Sequence, residues 1–362
     1  MVGADPVVMA KIQAFAGRVI DGHSPAVTGQ ALNAYVTAGI MSDHECTTPE
    51  EALEKLRLGM HILIREGTTT RNLRPLLPMV TAENHHRLCF CTDDRQPGTL
   101  LDEGSIDSMV RTAIAEGLDP MMAIRMGSIN TANYFRLHDL GAIVPGRRAD
   151  MIVFSDLRNL QPEMVFSDGV QVGENGRALA EAVSLPPLAV SASMNVRPGA
   201  LDFTIPANGT KVHVIGGLDD QVVTEHFIDD ARIVDGQAVA DPDRDLLKIA
   251  VIERHTGSGR IGKGFIRGYG LKRGAIAGTV AHDHHNLVVI GADDASMEAA
   301  ARAVIEMGGG LSAANGDQVL GTLPLPVGGL MTEIPLTEVR GAYDSLIDAA
   351  RQMGSEMTDP FM

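Results

Sequence analysis

The sequence predicts an α/β fold built round part of a parallel (β/α) barrel, followed by a small β-segment and an α+β domain. Three observations predict it. Short apolar runs alternate with helical stretches over roughly the first 140 residues, the pattern of strands buried on both faces of a parallel sheet. Polar groups able to bind a metal stand directly after three of those runs, in Asp21-Gly22-His23, Ser42-Asp43-His44-Glu45 and Cys91-Thr92-Asp93-Asp94. After residue 139 the alternation gives way to short extended stretches, and from about 190 strands mix with helices.

The elements follow in order. Asp5 as N-cap and Pro6 at the first helical position open a helix over 5–16. Gly17-Arg18-Val19-Ile20 leads as a strand to His23, a helix covers Gly29–Thr37, and Ala38-Gly39-Ile40-Met41 leads as a second strand to Asp43. Thr48-Pro49-Glu50-Glu51 starts a helix whose apolar stripe (Ala52, Leu53, Leu56, Leu58) stops at Gly59. Met60–Ile64 is the third strand, ending at Arg65-Glu66-Gly67. A helix over roughly 70–79 precedes the fourth, Leu88-Cys89-Phe90-Cys91. These four β/α units make half of an eight-stranded barrel, which usually takes roughly 250 residues. Helices are predicted over 105–117 and, after Asp119-Pro120, over 119–135.

Ala149–Phe154 and the strand and turn at Val165–Gly169 form the small β-segment, and Ser184-Leu185-Pro186-Pro187 reads as a linker. Beyond it Lys211–Ile215, Leu247–Glu253, Gly278–Ala281 and Leu287–Ile290 are strand-like. Ala295–Glu306 is a helix ended by Gly308-Gly309-Gly310. The predicted boundaries are therefore 1–139, 140–183 and 190–362.

Composition excludes several functions. A net charge of −16 argues against a nucleic-acid partner, which would require basic patches. Of the three cysteines, Cys46, Cys89 and Cys91, the last two lie on one strand and are poorly placed to bridge, which predicts a reducing, cytoplasmic setting. The N-terminus lacks the features of a signal peptide, and no apolar run is long enough to span a membrane. A soluble cytoplasmic protein is expected.

The chemistry lies at the strand tips. Asp21 in a turn, Asp43-His44-Glu45 in a solvated loop and Thr92-Asp93-Asp94 as a helix cap are ordinary readings taken singly. Together they put His23, His44 and an acid at equivalent ends of strands, where the catalytic face of a barrel lies. Imidazole and carboxylate ligands suit Mn²⁺, Fe²⁺ or Zn²⁺. Arg65 and Glu66 end the third strand at that face, either to position substrate or as a structural ion pair. His282, His284 and His285 cluster in the last domain, where alternation along a loop converges poorly on a metal; covering an active site is the better reading. Gly262-Lys263-Gly264-Phe265 lacks a complete phosphate-loop pattern.

From Gly17 to Phe135 the chain resembles the adenine deaminases of the amidohydrolase superfamily. The resemblance rests on Arg18-Val19-Ile20-Asp21-Gly22-His23, Leu32-Asn33-Ala34-Tyr35, Ser42-Asp43-His44-Glu45-Cys46, Lys55–Met60, Ile64-Arg65-Glu66-Gly67, Phe90–Arg95 and Glu103–Asp107. Leu140–Asp150 is similar to the superfamily's return from barrel to small β-domain. Thr279–Asn286, Gly308-Gly309-Gly310 and Pro324–Met331 are similar to the family's own C-terminal domain. The resemblance covers almost the whole chain. It implies the C-terminal half of an amidohydrolase-type barrel, strands five to eight, and hydrolytic deamination of adenine to hypoxanthine and ammonia.

Residue by residue, it implies His23 and His44 as metal ligands on strands five and six. Asp93 becomes the ligand and proton acceptor that orients the attacking water, with Asp94 an alternative for that role. Glu45 is implied to assist proton transfer or to position the purine ring; from their own positions Arg65, Glu66, His282 and His285 are candidates to contact substrate. The metal implied is Mn²⁺, or Fe²⁺ or Zn²⁺, in a centre that is binuclear in the family; a homo-oligomer is expected.

The first-strand His-x-His pair and the fourth-strand glutamate of the family are missing, and the chain stops at Asp359-Pro360-Phe361-Met362 where the family continues. A truncated chain with an incomplete metal centre, exposed strand edges and exposed apolar surface is therefore expected. Two other readings stay open: another amidohydrolase acting on a cyclic amide or N-acyl group, and a non-catalytic remnant that associates with a complete subunit.

Overall fold

The computed structural model, which describes residues 3–179, 193–197, 199, 201–219, 224–282 and 284–361, divides into two compact units near residue 185. In the first, α1 (Pro6–Ala14) begins on Pro6, whose missing N–H is not needed there. The Asp5 carboxylate accepts from the Val7 and Val8 amides at 2.9 and 3.1 Å. Then come α2 (Gly29–Thr37), β1 (Ser42–Asp43), α3 (Pro49–Arg57), β2 (His61–Arg65), α4 (Leu73–Leu76) and β3 (Leu88–Cys91). The Thr48 hydroxyl caps α3 by accepting from the Glu51 amide at 3.3 Å. Four short helices complete the α/β part: α5 (Pro97–Asp102), α6 (Ile106–Ala115), α7 (Pro120–Met126) and α8 (Ile129–Tyr134).

β1, β2 and β3 form a parallel sheet in that order, with Ser42 opposite His61 and Ile62 opposite Leu88. Strand alternation sorts the side chains. Ile62, Ile64, Leu88 and Phe90 turn to one face and pack with Ala52, Leu73, Leu76, Met109, Ala113 and Met126 from the helices. Burying each Ile, Leu or Phe stabilises by about 1.5–3 kcal/mol, so this face sets the register. On the opposite face Leu63 and Cys89 pack with Tyr134, Val19 and Cys91, and the His61 ring lies 4.5 Å from that of Tyr134. The same alternation brings Arg65 out at the C-terminal end of that face, while Glu66 turns away.

Several expected elements are shorter or absent. Gly17–Ile20 forms no strand: a single backbone bond, from the Met41 amide to the Ile20 carbonyl at 3.4 Å, replaces a ladder. Ala38–Met41 likewise stays outside the sheet, and β1 is two residues long. The helix expected over 70–79 shrinks to α4 and one 3₁₀ turn, Leu77–Met79, because Pro75 and Pro78 remove amides a continuous helix would use. The helix expected over 119–135 breaks between α7 and α8 at Gly127-Ser128. α5, which opens on Pro97, was not anticipated. α1 buries none of its residues, and Val7 and Phe15 are 65% and 57% exposed.

A four-stranded antiparallel sheet closes the first unit: β4 (Met151–Val153), β5 (Met164–Ser167), β6 (Val170–Glu174) and β7 (Arg177–Ala178). The linker expected at 184–187 lies outside the described residues. All three cysteines are free. No helix among the described residues is long and apolar enough to cross a membrane.

The second unit is α+β. Its strands are β8 (Lys211–Gly216), β9 (Glu225–Asp230), β10 (Arg232–Val234), β11 (Gln237–Val239), β12 (Leu247–Ile252), β13 (Ile261–Arg267), β14 (Ala275–Gly278), β15 (Leu287–Gly291), β16 (Gly310–Asn315) and β17 (Gln318–Pro324). The helices are α9 (Asp294–Glu306) and α10 (Leu336–Gln352). Eight strands make one sheet, ordered β17-β16-β14-β15-β12-β13-β8-β9, with β10 and β11 a separate hairpin. α10 packs Tyr343, Leu346, Ile347 and Ala350 on one face. α9 packs Met297, Ala300, Ala301 and Val304 on the other, at the i, i+3, i+4, i+7 spacing of a helical stripe. The strand expected at Gly278–Ala281 lies earlier, as β14. Thr279 ends it because its hydroxyl donates to the Gly329 carbonyl at 2.6 Å and accepts from the Gly310 amide at 2.8 Å.

Candidate active site

Side chains, rather than a ladder, hold residues 21–24 beside β1. The Gly22 amide donates to Ser42 Oγ at 3.1 Å, and the Ser24 amide and hydroxyl both donate to Asp43 Oδ1, at 2.8 and 2.9 Å. The Ser42 hydroxyl also bonds the Asp21 carboxylate. The two backbones approach so closely that a Cβ on Gly22 would stand 2.0 Å from the Ser42 carbonyl oxygen. His23 sits between these two stitches, and His44 follows Asp43. Their rings come edge to face, 5.4 Å between centroids.

Glu45 is the meeting point. Its Oε1 lies 3.3 Å from His23 Nδ1 and 3.3 Å from His44 Nε2, and His44 Nε2 is 3.5 Å from Asp93 Oδ2. Arg65 grips Glu45 with both terminal nitrogens, at 2.6 and 3.0 Å, and holds Asp93 Oδ2 at 2.8 Å. The Glu45 side chain is 2% exposed and that of Arg65 7%, whereas His23 is 63% exposed and faces solvent. Asp93 adopts a left-handed backbone, φ 55°, that a non-glycine residue rarely takes.

Electrostatics fix the charge states. Burial pushes the Glu45 carboxyl up, but the His44 hydrogen bond and the Arg65 charge outweigh it and hold it below the usual range. Asp93 is lowered in the same way, burial opposing and Arg65 prevailing. The bond to Glu45 raises His44. Both acids are therefore carboxylates at neutral pH.

The donors fit a divalent cation. Ligand atoms each about 2.0–2.2 Å from one ion stand roughly 3.0–3.6 Å apart, and the 3.3 Å separations of Glu45 Oε1 from each imidazole fall in that range. Among the described residues, His23, His44 and Glu45 form a set whose ligand atoms all lie within 4.8 Å of one another. Asp93, expected with the two histidines, stands one step out, drawn to Arg65. A second set, Asp43, Cys46 and Glu51, already surrounds a cation: Lys55 Nζ lies 2.8 Å from Asp43 and 2.7 Å from Glu51.

The other expected site residues are placed as follows. The Asp94 carbonyl accepts from the Thr68 amide at 3.0 Å, while Asp93 Oδ2 lies 3.5 Å from His44 Nε2. Glu66 does not pair with Arg65. It is 6% exposed, accepts from the Leu73 amide at 3.0 Å, and burial raises its carboxyl. His282 and His285 belong to the second unit, in the loop between β14 and β15, with centroids 6.1 Å apart. The buried Arg254 Nε there donates to the His285 carbonyl at 2.6 Å. Sequence reading missed Asp43 and Lys55. The available signal was a lysine on the core stripe of α3, three residues after the buried Ala52.

Residues 7–172 match the amidohydrolase family and residues 221–362 the adenine deaminase C-terminal domain. The adenine deaminase of Desulfatibacillum aliphaticivorans is 50% identical over 360 residues, taking in 99% of this chain and 63% of that protein. An adenine deaminase of Cereibacter sphaeroides is 46% identical, and adenine deaminase 2 of Carboxydothermus hydrogenoformans 44%, each again covered over 63% of its length. A solved amidohydrolase structure covers 47% of the chain at 18% identity and a TM-score of 0.32, too weak a likeness to bear on the fold. The β1–β3 sheet with its helices is thus part of an amidohydrolase-type barrel, and along nearly its whole length the chain is similar to adenine deaminases, spanning 63% of the length of these relatives.

Proposed function

We propose that this chain supplies the His23, His44, Glu45 and Asp93 part of a site for hydrolytic deamination of adenine to hypoxanthine and ammonia. The observation that carries the reading is the convergence of two imidazoles and two carboxylates beside the parallel sheet, in a chain related to adenine deaminases along 99% of its length. His23 and His44, with Glu45 or Asp93 as the carboxylate ligand, would hold a divalent metal, Mn²⁺ in our reading, which would lower the pKa of a water. Net addition of water to C6 forms a C–O bond, and loss of the C6–N bond releases ammonia. Asp93, ionised beside Arg65, accepts the water's proton. Glu45, also ionised, is placed to relay a proton to the ring nitrogen and the leaving amine. Arg65 keeps both acids charged and fixes their spacing; contact with the purine is proposed for it, but not for Glu66, which faces the other way.

We infer a cytoplasmic enzyme of purine salvage, assembled as a homo-oligomer; the net charge of −16 supports the absence of a nucleic-acid partner. The test is adenine turnover with Mn²⁺, by the chain alone and together with the remaining segment of a relative. Turnover in the complemented sample, lost in His44→Ala, is expected. Turnover that survives His44→Ala removes His44 from the site, and product from a cyclic amide but not from adenine would move the chain to another reaction.

A further inference from the structure

Asp43 is wholly buried and uses its two carboxylate oxygens on five donors from three segments. Oδ1 takes the Ser24 amide and hydroxyl at 2.8 and 2.9 Å. Oδ2 takes the Glu45 amide at 3.2 Å, Cys46 Sγ at 3.2 Å and Lys55 Nζ at 2.8 Å. Lys55, equally buried, spends its remaining donors on the Ser24 carbonyl at 2.8 Å and Glu51 Oε1 at 2.7 Å. Ser24 is the neighbour of His23; Glu45 is the neighbour of His44. One carboxylate therefore bonds the backbone next to each histidine, where a continuous strand pair would have used a ladder that is absent here.

We propose that Asp43, neutralised by Lys55, is a positioning residue that fixes the distance between His23 and His44, and so sets how tightly their cluster can hold a divalent cation. This rests on the metal reading above for its consequence, but not for its geometry. Asp43 touches neither ring. It acts by holding the backbone from which each ring projects, and α3 provides the counter-charge from Lys55 on its buried face. A glutamate or asparagine would not substitute: the first is too long for the gap, and the second lacks the charge Lys55 requires.

The test uses the full chain, free of metal, as the parent and as Asp43→Asn. Amide hydrogen exchange at Ser24 and Glu45 reads the clamp directly, and Co²⁺ titration followed by absorbance reads its consequence. In Asp43→Asn, protection at those two amides is expected to fall tenfold or more beyond any fall at Ile64 and Phe90 in the β2–β3 ladder. Co²⁺ affinity is expected to fall about 10–100-fold, the usual cost of losing a group that orients ligands. Unchanged protection at Ser24 and Glu45 overturns the inference, as does an equal loss throughout the sheet, which would make Asp43 merely a stabilising residue. Should Asp43→Asn fail to fold by circular dichroism, Ser24→Ala removes one of the five bonds alone. It should lower protection at Ser24 several-fold, and no change there also overturns the inference. A parent chain that takes up no Co²⁺ while Asp43→Asn still loses local protection leaves the clamp standing and strikes the metal reading instead.

Discussion

Replacing Lys55 with methionine keeps the length and apolar stem of the side chain and removes only its charge. In the native protein that ammonium is 0% exposed and meets three acceptors, Asp43 at 2.8 Å, Glu51 at 2.7 Å and the Ser24 carbonyl at 2.8 Å. Asp43 is also 0% exposed, so it has no water to turn to. The remaining contacts of Asp43 are hydrogen bonds from two amides, a hydroxyl and a thiol, which ease the loss without cancelling a full charge. Removing one member of a buried ion pair costs about 3–5 kcal/mol. For a unit the size of residues 1–185, the entropy of unfolding is about 0.4 kcal/mol/K, so Tm of that unit should drop by roughly 10 °C. Differential scanning calorimetry on Lys55→Met, Asp43→Asn and the double variant measures this. The double variant should cost clearly less than the sum of the singles, since it leaves neither charge stranded. A Tm shift of Lys55→Met below about 2 °C, or strict additivity, would refute the reasoning.

Two further outcomes follow from particular contacts. Burial first, and then the charges of Arg87 and His86, press the His61 imidazole down to about 4. Between its ordinary pKa near 6.5 and that value the unfolded chain binds the extra proton. Stability from this group is therefore full above pH 6.5 and lost as pH falls toward 4, by at most about 3 kcal/mol. Urea denaturation from pH 7 to pH 4 should show that slope, and His61→Leu should flatten it. Gly22→Ala places a methyl 2.0 Å from the Ser42 carbonyl oxygen, a backbone atom that no rotamer change can move. It should destabilise by about 1–3 kcal/mol and abolish Co²⁺ binding by parting His23 from His44; a variant with parental Tm and Co²⁺ affinity contradicts the close approach.

Much of the local structure was legible in the chain because it depends on neighbours in sequence. Asp5-Pro6 and Thr48-Pro49 start helices through their own side chains, α2 follows the expected 29–37 span, and the apolar runs 61–65 and 88–91 become the paired strands β2 and β3. Residue types brought His23, His44 and an acid after Cys91 forward together, and the resemblance to adenine deaminases added the roles of Glu45 and Asp93. Helix lengths were less legible: Pro75 and Pro78 cut one short, and Gly127-Ser128 split another, where apolar spacing alone ran on.

What only the tertiary structure decided is how those candidates are held. No period in the sequence shows that residues 21–24 would bond to β1 through Ser42 and Asp43 instead of pairing as a strand. That choice depends on groups about 20 positions apart meeting in space. Nor does it show that Arg65 would pair with Glu45 and Asp93, 20 and 28 residues away, rather than with adjacent Glu66. Alternation along a strand sends neighbours to opposite faces, so the partner of a charge at a strand end comes from the next strand. The sequence by itself determined which residues could do chemistry and which segments could become helix or strand. Long-range packing, which trades the cost of burying charge against the bonds that offset it, determined which of them meet.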